Sequence, residues 1–224
     1  MTNTPKAQTD HKRTRSYSRI SGERVNELLK IAAQVFAERG FDGASINEMA
    51  KRANASKGTY YSRFPSKEEL LVAVVKQRIE EVEGGLDKTM NPEPDIGKAL
   101  TIFAEEIFTV ILSETMIANY RVVTLEAQRF PQLGKIYYEK GVKKIVDFLV
   151  EYLVRKMKEG KLNIVDPKIS AEVFIDGIIG TPRLKATLGI GLPTPEEQSQ
   201  RIAIAVQSFL ATYGTSSCDS TSSS

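Results

Sequence analysis

The chain has 224 residues, 41% of them apolar, which is enough for a packed core and too many for wholesale disorder. No stretch reaches the ~20 uncharged apolar residues of a transmembrane helix, and the N-terminus is polar and basic, which argues against a signal peptide. Formal charge is +3 but uneven: residues 1–66 hold 12 Lys/Arg and 6 Asp/Glu, the remainder 19 and 22.

A basic end on a mildly acidic body points to a polyanion partner for that end, or to a solvated basic tail, since five of the cations precede residue 20. The single cysteine, Cys218, lies in a Ser/Thr-rich stretch. A disulfide framework is excluded, and a reducing cytoplasm is the expected compartment.

In chain order, residues 1–20 read as a disordered basic arm. Val25, Leu28, Leu29, Ala32, Ala33 and Phe36 then form one helical stripe. Ser21 is placed to cap its start, Gly40 to end it, and Phe41 to pack back on its last turn. Ser45 and Glu48 have capping-box spacing at the start of a second helix, whose buried face is Ile46, Met49, Ala50 and Ala53. Asn54 and Ala55 turn the chain, and Ser56 caps a third helix expected to run to Phe64, where Pro65 stops it. Ser66 and Glu69 form another box, opening a helix with the stripe Leu70, Leu71, Val74, Val75, Ile79 and Val82 that Gly84 and Gly85 should end.

Beyond "MNPEPD" the helices become greasier. Leu100, Phe103, Ile107, Phe108 and Ile111 mark a fifth, and Ile117, Tyr120, Val123 and Ala127 a sixth. Pro131 opens a long seventh with Leu133, Ile136, Tyr137, Ile145, Leu149, Tyr152, Leu153 and Met157, ending at Gly160. Asp166-Pro167 starts the eighth, in which Pro182 predicts a kink or an early end. Thr194 to Glu197 starts the ninth. Residues 214–224 read as a disordered low-complexity tail.

The expected fold is all-α, with about nine helices and no strand pattern. Residues 21–66 form a helix-turn-helix domain, 67–84 a connecting helix, and 95–213 a second helical domain, to which the resemblance given below assigns effector binding and dimerisation.

The short turn "RANAS" fits a helix-turn-helix, whose second helix enters the DNA major groove. In that arrangement Gly58 lets the backbone approach DNA, and the free amides opening the second and third helices favour phosphate. Ser45 and Lys57 stand at those starts, Thr59 offers a hydroxyl and a methyl to a base edge, and Tyr61, Arg63 and Lys67 are phosphate donors. Phe64 reads as core, and Tyr60 as straddling core and groove. A Tyr pair of this kind also occurs as a core edge in other all-α proteins.

Residues 32–75 resemble the DNA-binding domain of TetR-family transcriptional regulators. The resemblance rests on Phe36, Gly40-Phe41, Ser45-Ile46, Ala50, Ala53, Lys57-Gly58-Thr59, Tyr61, Phe64, Ser66-Lys67-Glu68 and Leu70-Leu71. It implies DNA contacts at Ser45, Lys57, Thr59, Tyr61 and Lys67. Family members often carry histidine at the position of Arg63 and an aliphatic residue or Phe at that of Tyr60, so the base preference is open there. Residues 118–141 are similar to the C-terminal domain of the AefR-like subgroup.

The resemblance further implies a homodimeric repressor on a pseudo-palindromic operator, released by a small effector through movement of the fourth helix. Phe103, Ile107, Phe108, Tyr120, Val123 and Tyr137 are the candidate lining of a pocket for an apolar or aromatic effector, with a filled core as the competing reading. Glu126 and Arg129 have the spacing of an i, i+3 pair. Ile169, Val173, Phe174, Gly177 and Ile178, with Ile202, Val206, Phe209 and Leu210, exceed what two helices need to cover their own domain, and are the candidate dimer interface; Gly177 and Gly180 would permit close helix approach.

An enzyme is disfavoured. The one histidine, His11, and the one cysteine lie at opposite ends, so no triad or zinc site assembles, and no metal or cofactor is expected. Carboxylate-only chemistry at Glu105 or Glu126 has nothing to support it. An effector-independent protein of chromosome organisation would share the fold and lack an open cavity.

Overall fold

The computed structural model describes residues 22–86 and 95–215. The basic arm, Ser21, His11, Cys218, the Val82 side chain and most of the C-terminal tail fall outside the described residues. Helices α1 (Gly22–Gly43), α2 (Ile46–Arg52), α3 (Lys57–Tyr61) and α4 (Lys67–Leu86) come first. They are followed by α5 (Ile96–Ile111), α6 (Glu114–Glu126), α7 (Pro131–Ile136), a π-helical turn (Tyr137–Val142), α8 (Lys143–Lys158), α9 (Pro167–Thr187) and α10 (Pro195–Tyr213). α7, the π-turn and α8 are continuous, so the described residues form nine helical rods. The fold is all-α. None of the described helices is long and apolar enough to cross a membrane.

Local chemistry sets most boundaries. The side chains of Ser45, Ser56, Ser66, Asp95, Ser113, Asp166 and Thr194 each accept a bond from a first-turn amide. Only at Thr194 and Glu197 does the structure show both halves of a capping box. At Ser45 the Glu48 carboxylate turns instead to Arg52. Gly40 leaves the helical region at φ 67°, ψ 179°, a conformation open essentially only to glycine. The break lets Phe41 fold back and stack on Phe36, ring centroids 5.9 Å apart.

Two boundary expectations are corrected and a third is narrowed. α3 ends at Tyr61 rather than Phe64; the amides of Arg63 and Phe64 close a turn on the Tyr60 carbonyl. α4 continues through Gly84 and Gly85 to Leu86, because one or two glycines weaken a helix without forbidding it. α9 passes through Pro182, which is buried, to Thr187, so it has no early end there. The long seventh helix is interrupted by the π-turn. The π-turn shifts its register, so Leu133 serves one core while Val146, Leu149 and Leu153 serve another. One feature was not foreseen: Leu162 and Gly214 form an isolated bridge that ties the end of α10 to the loop after α8.

Two hydrophobic cores result. The first joins α1–α4 and takes in Val123 of α6 and Leu133 of α7. The second is built from α5, α8, α9 and α10 with Ile117 of α6. α4 lies between them, packed on α1 and also against α5, α6, α7 and the π-turn.

Replacing Gly40 by alanine should destabilise the fold by about 1–3 kcal/mol in urea unfolding, because no other residue holds that backbone without strain. Gly43→Ala, at an ordinary φ, should change stability by less than about 1 kcal/mol.

Candidate nucleic-acid interface

The turn between α2 and α3 is held from three sides. Asn54 takes a left-handed conformation at φ 46°, which asparagine tolerates. Arg24 of α1 donates to the carbonyls of Ala53 and Asn54 at 2.7 and 3.3 Å. Ser56 Oγ accepts from the Thr59 amide at 3.0 Å and shares a hydrogen bond with Thr59 Oγ1 at 2.9 Å.

Tyr60 anchors the helix. Its side chain is fully buried, and its hydroxyl donates to the Leu28 carbonyl of α1 at 3.0 Å. Burial pushes the phenol up to about 12. Tyr60 is therefore a core residue and not a groove residue, which corrects the expectation that it straddles both. The adjacent Tyr61 points outward, 51% exposed.

Lys57, Gly58 and Arg63 are exposed with Tyr61, and Thr59 is half-buried beside them. Ser45 is also exposed, its oxygen already accepting from the Glu48 amide, so that its proton remains available to an acceptor. Lys57 and Arg63 make no ion pair with any described residue. Lys51, at the exposed end of α2, likewise makes none, and sequence reasoning passed over it. Arg52, by contrast, is held by Glu38 and Glu48.

Lys67 is placed differently from the expectation. Its ammonium donates to the carbonyls of Phe41 and Ala44 at 2.8 and 3.1 Å and sits 4.5 Å from the Phe41 ring centroid. It ties the end of α1 to α4 and is not a free phosphate donor. On the other face of the same loop, Arg129 donates to Asp42 Oδ1 at 2.7 Å and lies over Phe41 and Phe130. That bond holds the Asp42 carboxyl below its ordinary value. Arg129 thus reaches across to Asp42, with no ion pair to Glu126 among the described residues; Glu126 is buried.

A cavity of about 490 Å³, partly open to the surface, lies between α4 and the helices of the second half of the chain, within the usual range for small-molecule sites. Tyr120 and Tyr137 line it, as expected. Phe103, Ile107, Phe108 and Val123 do not; they are buried in the two cores. Helical spacing marks a residue as inward-facing but does not distinguish a filled interior from an open one. The walls include Ile79 of α4, Tyr138 and Gly141 of the π-turn, and Asp176, Ile179 and Arg183 of α9.

Of the expected dimer residues, Phe174, Ile178, Ile202, Val206 and Phe209 are buried within the chain's own core, and Leu210 packs against it. Ile169, Val173 (65% exposed) and Gly177 remain outside, joined by Ile204. They stand on the α9–α10 face, beside a surface groove between those helices.

A short capped helix presenting unpaired cations beside a three-helix core defines a helix-turn-helix DNA-binding regulator. Residues 28–74 match the model of bacterial regulatory proteins of the tetR family, and residues 98–215 match that of the AefR-like transcriptional repressor C-terminal domain. The chain belongs to the TetR family of transcriptional regulators, whose members are not enzymes.

A TetR-family regulator from Mesorhizobium loti MAFF303099 superposes with TM-score 0.80 at 26% identity, covering 86% of this chain and 98% of that one. The flavonoid-responsive regulator FrrA gives TM-score 0.74 at 28% identity, with 88% and 100% covered. The transcriptional activator FasR of Mycolicibacterium smegmatis is 32% identical over 101 residues, and the match spans 45% of this chain and 45% of FasR.

Two substitutions separate anchoring from exposure. Tyr60→Phe should cost about 1 kcal/mol of stability by removing one buried hydrogen bond. An alanine at position 58 would meet only Ser56 Oγ, at 3.5 Å. Gly58→Ala should therefore leave thermal stability equal or slightly raised while weakening DNA binding in a gel shift.

Proposed function

We propose that the chain is an AefR-like, homodimeric, cytoplasmic repressor. In this reading it leaves a pseudo-palindromic operator when a small, largely apolar or aromatic effector fills the cavity. The carrying observation is that Lys57, Gly58 and Tyr61 are exposed, with half-buried Thr59, on a helix anchored from behind by Tyr60, and that Arg63 is exposed in the turn that closes it. Lys57, Arg63 and Tyr61 would grip phosphate, Ser45 would add a hydroxyl at the start of α2, and Thr59 would reach a base edge across Gly58.

Dimerisation through α9 and α10 is supported by Ile169, Val173 and Ile204, which are large apolar side chains exposed on one face. Gly177 and Gly180 have open space where a Cβ would stand, so a partner helix could approach closely. Two readers on a two-fold axis would meet half-sites one helical turn apart.

The link to the effector is α4. Ile79 lines the cavity, and a Cβ on Gly141 of the π-turn would lie 3.6 Å from it. An occupant that displaces the π-turn or Ile79 would shift α4, and with it the reader that Lys67 and the first core hold to α4. An open cavity disfavours an effector-independent chromosomal protein. FrrA is described as flavonoid-responsive, in keeping with an aromatic effector. FasR is described as an activator, whereas the matched C-terminal model describes repressors, and repression is the sign adopted here.

The double variant Lys57→Ala, Arg63→Ala should bind the chain's own upstream DNA more weakly in fluorescence anisotropy. Its log–log salt dependence should flatten by about two phosphate contacts. Unchanged affinity and slope would overturn the orientation assigned to α3.

A further inference from the structure

The cavity has one chemically distinct wall. Most of its lining is aliphatic or aromatic, but α9, the π-turn and the start of α8 bring Arg183, Lys140 and Lys144 to it beside a single carboxylate, Asp176. Arg183 is the informative cation. It is half-buried, and its guanidinium lies 4.8 Å from the Tyr120 ring centroid. It makes no ion pair with a described residue. A guanidinium withdrawn from water against aromatic carbon loses hydration that the ring quadrupole only partly replaces.

The neighbouring groups make this an ordered corner. Tyr120 and Tyr137 pack at 6.0 Å with their rings tilted 48°. Burial holds the Tyr137 phenol above its ordinary value, so near neutral pH it stays protonated and able to donate a hydrogen bond. A second donor thus stands on the aromatic pair that Arg183 covers.

We infer that the effector is an amphipathic anion, with an aromatic or apolar body in the greasy part of the cavity and one negatively charged group on Arg183. This rests on the reading of the cavity as the effector site, and adds to it the charge of the ligand and the residue that selects it. The planar fork of arginine suits a carboxylate or sulfonate, and a charge-assisted bond is worth most in such a sheltered place. Arg183 is a specificity-determining residue, and Tyr120 holds it in position.

The test uses the full chain and two fluorescent probes of one skeleton: anilinonaphthalene sulfonate and its neutral parent, phenyl-naphthylamine. The protein should bind the sulfonate roughly tenfold more tightly than the neutral probe. Arg183→Gln should abolish that preference and leave neutral-probe binding within about twofold, the size of change left when no charged partner is lost. Arg183→Lys should retain part of the preference, and Asp176→Asn should increase it.

Equal affinity for both probes, or equal loss of both in Arg183→Gln, would overturn the anion assignment and leave the cavity standing as an apolar site. Binding of neither probe would overturn the effector-site reading itself, and this inference with it.

Discussion

A helix of five residues cannot persist on its own, so everything α3 does depends on the burial of Tyr60. That side chain fills the space between α1 and α3, and its hydroxyl reaches a carbonyl 32 residues earlier. The rest of the first domain is arranged around this anchor. Arg24 fixes the turn that enters α3, the closing turn on Tyr60 buries Phe64, and Lys67 gathers the carbonyls that the break at Gly40 leaves exposed. The outward face is consequently free of structural duty. Lys57, Gly58, Tyr61 and Arg63 contribute little to the fold, which is the condition under which side chains can be kept for a partner.

The same economy joins the two halves of the molecule. α4 contributes Leu70, Leu71, Val74, Val75 and Ile79 to the first core, and Ile79 also faces the cavity. Arg129 crosses from the end of α6 to Asp42, beside the Phe41 ring that Lys67 covers from its other side. In the proposed reading, a displacement near the cavity would reach the DNA-binding domain through α4, and the Arg129–Asp42 bond ties the segment after α6 to the same domain. The π-turn would give the route through α4 its compliance: six residues from Tyr137 to Val142 hold a wider turn than the helices on either side, and such turns are recurrent at functional sites.

Helices were legible in the sequence because their signals are local. Serines and aspartates three residues before a first-turn amide, and apolar stripes at helical spacing, located all nine rods. Long-range partners were not legible. Nothing near Tyr60 announces that the Leu28 carbonyl receives its hydroxyl, and nothing near Lys67 announces the carbonyls of Phe41 and Ala44. Lys67 was read as a phosphate donor and Tyr60 as straddling core and groove, because local spacing shows neither distant acceptor. Phe103, Ile107 and Phe108 were read as cavity lining for a related reason: periodicity says that a face is inward, and only the packing of α8, α9 and α10 decides whether the space is filled. The π-turn left no trace, since Gly141 does not disturb a helical pattern enough to signal a change of register.

The central claim is that the state of the cavity sets the position of the two readers. It is tested most directly by spin-label distance measurement across the dimer, with Cys218→Ser and a single label at Ser62→Cys. On operator DNA the labels should report one separation suited to half-sites about 34–36 Å apart. Gly141→Leu, which presses on Ile79 without touching the reader, should displace the separation in the free protein and weaken operator binding. An identical distance distribution with and without Gly141→Leu, or two labels that never report on one another, would contradict the account.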